Sequence, residues 1–278
     1  MPELPEVETV RRGLAPVMEG YVFEDVKLNR ADLRFPFADN FVERVQGQTL
    51  IRLSRRAKFL QAELSSGERL FMHLGMSGRF TIDKVETADF VQQHKISPKH
   101  DHVIFQMSNG ARITYNDPRR FGFMELVEQG MPYRLDDLGP EPLSNNFNAP
   151  DLRSRLKGKK SKIKTALLDQ HIVAGLGNIY VCEALFRAGI SPKRGAGRLS
   201  VSEIEQLVPH IKDVISEAIE AGGSSLKDFA STNGDLGYFQ HNFMVYDREG
   251  EACPNCTAPI KRIVQSGRSS FYCTACQR

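Results

Sequence analysis

The stretch Leu138-Gly139-Pro140-Glu141-Pro142 divides the sequence into two parts with different hydrophobic periods. Two prolines and a glycine in so short a stretch interrupt any helix or strand. Before this stretch, apolar residues occur at every second position, as in β-strands. After it, they recur about every 3.6 residues, as in α-helices. The sequence therefore predicts that a β-rich part ends, and a helical part begins, at this stretch.

The part before the boundary is predicted to be a helix that ends near Gly20, followed by short strands. Ser66-Gly67 and Asn109-Gly110 supply turn chemistry between later strands. Many short strands with such turns indicate a sandwich or a barrel. We expect strands at Val22–Leu28, Gly47–Ser54, Phe59–Leu64, Leu70–Leu74, His102–Met107 and Arg112–Tyr115.

The part after the boundary contains two helical stripes joined by a turn with two glycines. Ile163, Leu167 and Leu168 form the first stripe, and Ile179 to Ala188 form the second. Asn178 is well placed to cap the second helix. We expect further helices at Ser202–Ala221 and Ser225–Ala230, and a long loop from Gly222 to Tyr238, which is rich in Gly, Ser, Asn and Asp.

The last part of the chain carries two cysteine pairs in the spacing C-x2-C-x16-C-x2-C. The ligands Cys253, Cys256, Cys273 and Cys276 suit one tetrahedral, structural zinc ion with no open coordination position. Two disulfides are the alternative, which a cytosolic context opposes. A unit of about 33 residues needs such a metal for stability. The fifth cysteine, Cys182, is expected to be a buried apolar residue.

Composition and charge bound the class of protein. The chain has 278 residues, 41% of them hydrophobic, which is ordinary for a soluble globular protein. No apolar run approaches the roughly 18 residues of a membrane span, and the N-terminus lacks the features of a signal peptide. We therefore expect a cytoplasmic protein without a membrane partner.

Basic residues are concentrated in one strip. The net charge is only +3, but seven basic residues stand against one acid between Asp151 and Lys164. A solvated linker is the alternative interpretation. The position of the strip directly before the helix pair favours a surface that faces phosphates.

The N-terminus reads Met1-Pro2-Glu3-Leu4-Pro5-Glu6. Removal of Met1 leaves Pro2 with a secondary amine that titrates near neutrality, at about pH 8, beside the carboxylate of Glu3. Such amines attack carbonyl-like carbon and form Schiff bases. The alternative is that Pro2 only begins the chain and that Pro5 occupies the first turn of a helix.

The string Met1 to Thr9, followed by Arg11, Arg12 and Gly13, resembles the N-terminus of the formamidopyrimidine-DNA glycosylase family, bacterial enzymes that excise 8-oxoguanine and ring-opened purines. Lys164–Asp169 and Gly175–Tyr180 are similar to the family's helix-two-turn-helix. The resemblance extends from Pro2 to Gln277 and implies an α+β multidomain fold. Its expected domains are an N-terminal helix plus β-sandwich catalytic domain (1–138), a helical helix-two-turn-helix DNA-binding domain (139–245) and a C-terminal β-hairpin zinc finger (246–278).

The resemblance implies a bifunctional DNA glycosylase and abasic-site lyase. Pro2 matches the nucleophile that attacks the anomeric carbon, and Glu3 matches the acid that protonates the sugar ring oxygen. Lys58, within Arg55–Leu60, matches a second catalytic lysine that assists base loss or the first elimination. Arg268 aligns with the zinc-finger arginine that contacts phosphates and takes part in the later elimination. β-Elimination followed by δ-elimination then leaves a one-nucleotide gap.

The resemblance also implies the residues that hold damaged DNA. Met76, Arg119 and Phe121 match a wedge that fills the space of an extruded nucleotide and contacts the widowed base. Composition alone favours core positions for Met76 and Phe121. The phosphate contacts implied are His73, His100, Lys160, Lys164 and Asn178, with His102 as the alternative to His100. The loop Gly222–Tyr238 matches the segment that covers the flipped purine.

Two other functions stay open. An endonuclease VIII-like enzyme would act on oxidised pyrimidines, but that branch usually begins Met-Pro-Glu-Gly-Pro-Glu, so Leu4 favours the purine branch. A catalytically silent zinc-finger DNA-binding protein would use only the basic strip, the helix pair and the finger. We expect damaged double-stranded DNA as the partner, no obligate protein partner, a monomer, and a bacterial cytoplasmic location associated with the nucleoid.

Overall fold

The computed structural model describes residues 2–83, 97–224 and 237–278. The chain divides into two compact units. The first comprises Met1–Tyr133 and Ala221–Tyr238, and the second comprises Arg134–Glu220 and Phe239–Arg278. The helical part and the cysteine-bearing part therefore belong to one unit.

The described part of the first unit is a helix packed on two antiparallel sheets. One sheet has the strand order β1-β6-β7-β5 and the other has the order β2-β3-β4-β8. The elements are α1 (Leu4–Met18), β1 (Phe23–Leu28), α2 (Phe41–Val45), β2 (Leu50–Arg56), β3 (Phe59–Leu64), β4 (Arg69–His73), β5 (Arg79–Asp83), β6 (Asp101–Met107), β7 (Arg112–Asn116) and β8 (Phe123–Val127). A 3-10 turn at Pro98–His100 precedes β6.

The core of this unit follows from the periods of its elements. In α1, Val7, Val10, Leu14 and Val17 recur at helical spacing and are buried against the sheets. In β3, every second residue is buried, beginning at Leu60. One apolar core thus joins α1 to both sheets, and α1 contacts β2 and β3. This packing fixes the N-terminal end of α1 on the sandwich.

The described part of the second unit is helical and ends in a two-stranded hairpin. Its elements are α3 (Ala149–Leu156), α4 (Ile163–Leu167), α5 (Asn178–Arg187), α6 (Val201–Glu220), β9 (Lys261–Gln265) and β10 (Arg268–Tyr272), with 3-10 turns at Ala196–Arg198 and Phe239–Asn242. Every residue of α5 from Ile179 to Phe186 is buried, because α5 contacts both α6 and β10.

One buried carboxylate attaches the hairpin region to α5. Glu183 is fully buried and accepts the backbone N–H groups of Met244, Val245 and Tyr246 at 2.8–3.0 Å. Burial raises the pKa of Glu183 above its ordinary value, against the lowering effect of these three hydrogen bonds and of Arg187. The segment that leads into the cysteine region is therefore tied to a core helix.

The predicted α+β class is confirmed: the N-terminal helix α1 is followed by the two sheets, then by the helices of the second unit, then by the hairpin. Among the α-helices and strands of the described residues, α2, α3, β5 and β8 were absent from the sequence interpretation. The basic strip is partly helical, since α3 occupies its first half and Arg155 pairs with Asp151 at 2.9 Å. The short helix expected at 225–230 lies outside the described residues. Within the ranges described, no helix is both long and apolar enough to cross a membrane.

Candidate functional site

The N-terminal pair Pro2 and Glu3 lies at the beginning of α1. Both residues are buried, and Glu3 is only 4% exposed. The backbone N–H of Glu3, the N-cap residue, donates to Oε2 of Glu6 at 2.9 Å. Pro5 occupies the first turn of the helix, where its missing N–H costs nothing. The Pro2-Glu3 pair therefore stands on a rigid, capped helix end.

Glu6 also holds the beginning of the segment that the sequence predicts to cover the flipped base. Its Oε1 accepts the N–H and the hydroxyl of Ser224 at 2.8 and 2.9 Å. Ser224 pairs in turn with Tyr238, which closes the base of the segment. Of the predicted loop, residues 225–236 lie outside the described residues. Both ends of the loop that are described are thus fixed beside the N-terminus of α1.

Lys58 lies in the two-residue turn between β2 and β3. Its side chain is buried, with 8% exposure, and its neighbour Ala57 has a left-handed backbone with φ of 52°. Arg55 donates to the carbonyl of Ala57 at 2.9 Å and pairs with Glu8 of α1 at 3.2 Å. This ion pair connects the turn that carries Lys58 to the helix that carries Pro2.

Glu8 is the charged centre of this connection. Burial raises its pKa, but the hydrogen bond and charge of Arg11, with the charge of Arg55 and the hydrogen bond of Arg12, outweigh burial and lower the pKa below its ordinary value. Arg11 also donates to the carbonyl of Leu53 in β2 at 3.4 Å. The carboxylate of Glu8 is therefore ionised at neutral pH and joins α1 to β2.

The three predicted wedge residues lie on two turns that touch each other. Met76 belongs to the methionine turn (residues 74–78), and Arg119 and Phe121 belong to the arginine turn (residues 117–122). Phe121 is 43% exposed, which excludes a core position, and Met76 is half-buried. The guanidinium of Arg119 lies over the Phe121 ring, 4.9 Å from its centroid. The structure therefore presents an aromatic and a cation together at one surface.

The histidines differ in their surroundings. His73 stacks on Phe123 with 5.2 Å between ring centroids, and its Nδ1 accepts the N–H of Gly75 at 3.0 Å, which assigns the proton of the neutral ring to Nε2. His102 is buried and its Nε2 donates to the carbonyl of Asp117 at 2.9 Å. His100 is half-buried. Of the two histidines considered as the phosphate contact, His102 is buried and supports the fold, whereas His100 is more accessible.

In the second unit, Lys164 and Asn178 converge on the hairpin. The ammonium of Lys164 is fully buried and donates to the Ser269 carbonyl and the Ser270 hydroxyl, both at 2.7 Å. The amide of Asn178 donates to the same Ser269 carbonyl at 2.9 Å. Asn178 does not cap α5 as predicted: Gly177 is the N-cap, and Asn178 is the first helical residue.

Two further basic residues of the second unit are exposed. Lys160 lies in the strip between α3 and α4. Arg268 follows the tight turn Ser266-Gly267, where both residues have positive φ, and begins β10. Its neighbour Ser269 is the acceptor for Lys164 and Asn178. The hairpin backbone beside Arg268 is therefore fixed, while the Arg268 side chain faces solvent.

The four predicted zinc ligands come together. Their sulfur atoms all lie within 4.8 Å of one another, with 3.8 Å between Cys253 and Cys276 and 3.4 Å between Cys256 and Cys273. Tetrahedral zinc with bonds of about 2.3 Å requires sulfur atoms about 3.8 Å apart. The thiolate set fits one structural zinc ion. Cys182 is buried in the apolar cluster beneath this site, as predicted.

Three buried acids among the described residues were not singled out in the sequence. Glu6 has a usable signal, since Glu3-x-x-Glu6 has the spacing of a capping box. Asp117 precedes Pro118 in a turn, but its side-chain partners lie on a distant turn. Glu183 looks like an ordinary helix residue. Asp117 and Glu183 contact segments that are distant in the sequence. A local sequence pattern does not predict such contacts.

Comparisons with known proteins match all parts of the chain in order. The model of the formamidopyrimidine-DNA glycosylase N-terminal domain matches residues 1–124, that of the formamidopyrimidine-DNA glycosylase H2TH domain matches 138–230, and that of the zinc finger found in FPG and IleRS matches 250–278. The formamidopyrimidine-DNA glycosylases of Ruegeria pomeroyi and of a Bradyrhizobium species are 59% and 55% identical, over the full length of both chains.

Solved structures show the same similarity. The MutM (FPG) protein of Thermus thermophilus is 38% identical with a TM-score of 0.86, covering 99% of this chain and 98% of that chain. An FPG mutant of Lactococcus lactis, in complex with a Fapy-dG containing DNA, is 34% identical with a TM-score of 0.87, and both chains are fully covered.

The fold and these matches define a DNA glycosylase of base-excision repair. The chain belongs to the formamidopyrimidine-DNA glycosylase family. It is accordingly an enzyme that combines glycosylase and abasic-site lyase activities, with a structural zinc site in its finger. Membership of this family sets aside the catalytically silent DNA-binding protein.

Proposed function

We propose that the protein removes oxidised purines, 8-oxoguanine and formamidopyrimidines, from duplex DNA by using Pro2 as its nucleophile. The observation that carries this proposal is the buried Pro2-Glu3 pair at the capped end of α1, held by Glu6. Removal of Met1 is a condition of the activity, because a preceding residue would convert the amine into an amide. The Lactococcus lactis relative bound to a Fapy-dG containing DNA supports the purine substrate.

The chemistry assigns a separate task to each group. The lone pair of the Pro2 nitrogen forms a bond to the anomeric carbon as the bond to the damaged base breaks. The base leaves with the electron pair of that bond and takes up a proton, and the Pro2 nitrogen loses its own proton. Glu3 gives its proton to the ring oxygen, the sugar ring opens, and a Schiff base remains. Lys58 assists by proton transfer, as its buried position between β2 and β3 allows.

Two eliminations then cut the strand. Loss of a proton from the sugar carbon next to the Schiff base expels the 3′ phosphate in β-elimination. δ-Elimination expels the 5′ phosphate, with Arg268 taking part, and hydrolysis of the Schiff base releases Pro2. The exposed Arg268 on a fixed hairpin suits an interaction with this phosphate.

We propose that one chain binds damaged double-stranded DNA as a monomer at the bacterial nucleoid. His73, His100, Lys160 and Asn178 are the proposed phosphate contacts, together with Lys164. For Lys164 the contacts observed are internal, so it would act on DNA chiefly by holding the backbone beside Arg268. Met76, Arg119 and Phe121 are the proposed wedge. The domain boundaries after residues 138 and 245 are part of the same proposal.

Single-turnover excision tests the proposal. We expect faster release of 8-oxoguanine opposite cytosine than of thymine glycol. Glu3→Gln should bind the 8-oxoguanine duplex but excise about 10²- to 10⁴-fold more slowly, because it lacks a proton to donate. Glu24→Gln, an exposed substitution on β1, is the matched control. Excision retained by Glu3→Gln would contradict the role of Glu3, and faster action on thymine glycol would indicate an endonuclease VIII-like enzyme.

A further inference from the structure

One buried carboxylate lies between the methionine turn and the arginine turn. Asp117 is completely buried. Its Oδ1 accepts the hydroxyl of Ser77 at 2.5 Å and the N–H of Arg119 at 3.3 Å. Its Oδ2 accepts the N–H of Gly122 at 2.9 Å and the hydroxyl of Tyr115 at 3.3 Å. Four neutral donors from three segments thus share one carboxylate.

Ser77 makes the connection between the two turns direct. Its hydroxyl donates to Asp117 and accepts the N–H of Arg119 at 3.1 Å. The methionine turn therefore reaches the backbone of the residue that carries the wedge guanidinium. Met76 and Arg119 are linked through one hydroxyl and one carboxylate.

The main chain of Asp117 is fixed as well. Its N–H donates to the carbonyl of His100 at 3.1 Å, and its carbonyl accepts from His102 at 2.9 Å. The carbonyl also accepts the N–H of Arg120 at 3.2 Å, which closes the arginine turn. The carboxylate therefore stands on backbone that is anchored to β6 and its preceding turn.

The backbones of the two turns are in contact and leave no space for a side chain at Gly75 or Gly122. A Cβ on Gly75 would lie 2.3 Å from the backbone nitrogen of Gly122, and a Cβ on Gly122 would lie 1.7 Å from the hydroxyl of Tyr115. Burial, with the charge and hydrogen bond of Asp117, raises the pKa of Tyr115 well above its ordinary value, so its hydroxyl keeps the proton that it donates. Hydrogen bonds and close packing act on the same pair of turns.

We infer that Asp117 is the positioning residue of the wedge, fixing Met76 in register with Arg119 and Phe121 so that the three side chains enter the duplex together. The inference rests on the proposed wedge function of these three residues. Insertion into a base stack costs unstacking energy, and only side chains held in the required geometry recover it as contacts. Asp117 contacts no substrate and acts through the two turns.

Asp117→Asn tests this inference. The amide has the same shape as the carboxylate, but its NH2 group cannot accept hydrogen bonds from the donors that face it. We expect excision of 8-oxoguanine from a duplex to fall by about 10- to 100-fold. Borohydride trapping on an abasic site in single-stranded DNA should be unchanged, since there is no base stack to enter. The fluorescence rise of 2-aminopurine beside the widowed base should be reduced. Glu68→Gln, which removes the charge partner of Arg44 elsewhere in the sandwich, is the control.

A double-mutant cycle separates positioning from a general loss of stability. If Asp117 acts through the wedge, Asp117→Asn combined with Phe121→Ala should excise little more slowly than Phe121→Ala alone. Independent, multiplicative losses would overturn the inference, as would full duplex excision by Asp117→Asn when Phe121→Ala is impaired. Full activity of Phe121→Ala would instead contradict the wedge proposal. Should Asp117→Asn fail to fold, Ser77→Ala decides: it removes the shared hydroxyl, and unchanged duplex excision and fluorescence overturn the inference.

Discussion

At the scale of single residues, side-chain carboxylates hold the N-terminal site in place. Glu6 uses one carboxylate oxygen for the end of α1 and the other for Ser224. Glu8 joins the same helix to β2 through Arg55. The pair Pro2-Glu3 is therefore positioned by the carboxylate of Glu6 in the first turn of α1, and the carboxylate of Glu8 fixes the same helix to β2.

Glu8→Gln should destabilise the protein by about 1 kcal/mol at neutral pH, because it removes a partly buried ion pair. The pKa of Glu8 is lowered in the folded state, so its contribution is complete above its unfolded value of 4.5 and is lost as the pH falls through the folded value. The difference in unfolding free energy between wild type and variant should therefore shrink below pH 4.5.

Urea unfolding at several pH values measures this difference. Arg12→Ala is the matched control, since Arg12 is the most exposed of the arginines paired with Glu8, with 57% of its side chain accessible, and should change stability little. A difference between wild type and Glu8→Gln that stays constant as the pH falls from neutrality through the folded pKa of Glu8 would contradict an ion-pair origin.

Some residue positions could be read from the sequence and others could not. The four cysteines have a spacing that indicates a metal site, and the structure brings their sulfurs together. Composition alone favoured a core position for Phe121, and this was wrong, since the side chain is 43% exposed. Asp117 could not be read from the sequence, since its partner Ser77 is 40 positions away.

At the scale of elements, the sequence predicted those that carry a strong period of their own. The predicted bounds of β3 are those observed, and the last long helix is displaced by one residue. α3 was not predicted because only Leu152 and Leu156 of this helix are buried and many of their neighbours in the sequence are charged. β8 was missed because it pairs with β4, more than 50 residues earlier, and such pairing has no local signature.

Lys160 and Lys164 belong to adjacent elements and should give opposite results. Lys160→Ala removes an exposed charge, so it should leave stability unchanged and reduce the salt dependence of DNA binding by about one phosphate contact. Lys164→Ala removes the buried donor to the Ser270 hydroxyl and leaves the Ser269 carbonyl with Asn178 as its remaining donor of the two, so it should lower stability by about 1–3 kcal/mol.

Thermal unfolding and DNA affinity at several salt concentrations distinguish the two lysines. Lys160→Ala should weaken DNA binding and reduce its salt slope, with no change in melting temperature. An unchanged melting temperature for Lys164→Ala, with a reduced salt slope, would show that Lys164 is a simple phosphate contact and not a support for the hairpin.

At the scale of the whole molecule, the family matches show a DNA glycosylase, and the local geometry shows what holds the residues that are proposed to act. The relatives match the chain over its full length. The structure shows which side chain holds each of these segments. Glu6 holds the N-terminal end of α1, and Asp117 joins the methionine turn to the arginine turn. Glu183 holds the segment before the hairpin, and Lys164 holds the hairpin itself. The central claim is that all of this supports one covalent step at Pro2.

Borohydride trapping on an 8-oxoguanine duplex, followed by peptide mapping, tests that step most directly. The account predicts a covalent adduct on the N-terminal peptide beginning at Pro2, with Met1 absent from the intact mass. Pro2→Gly should trap more slowly, since it replaces the secondary amine of the proline ring with a primary amine. Absence of an adduct with wild type, an adduct on Lys58 instead of Pro2, or trapping undiminished in Pro2→Gly would contradict the account.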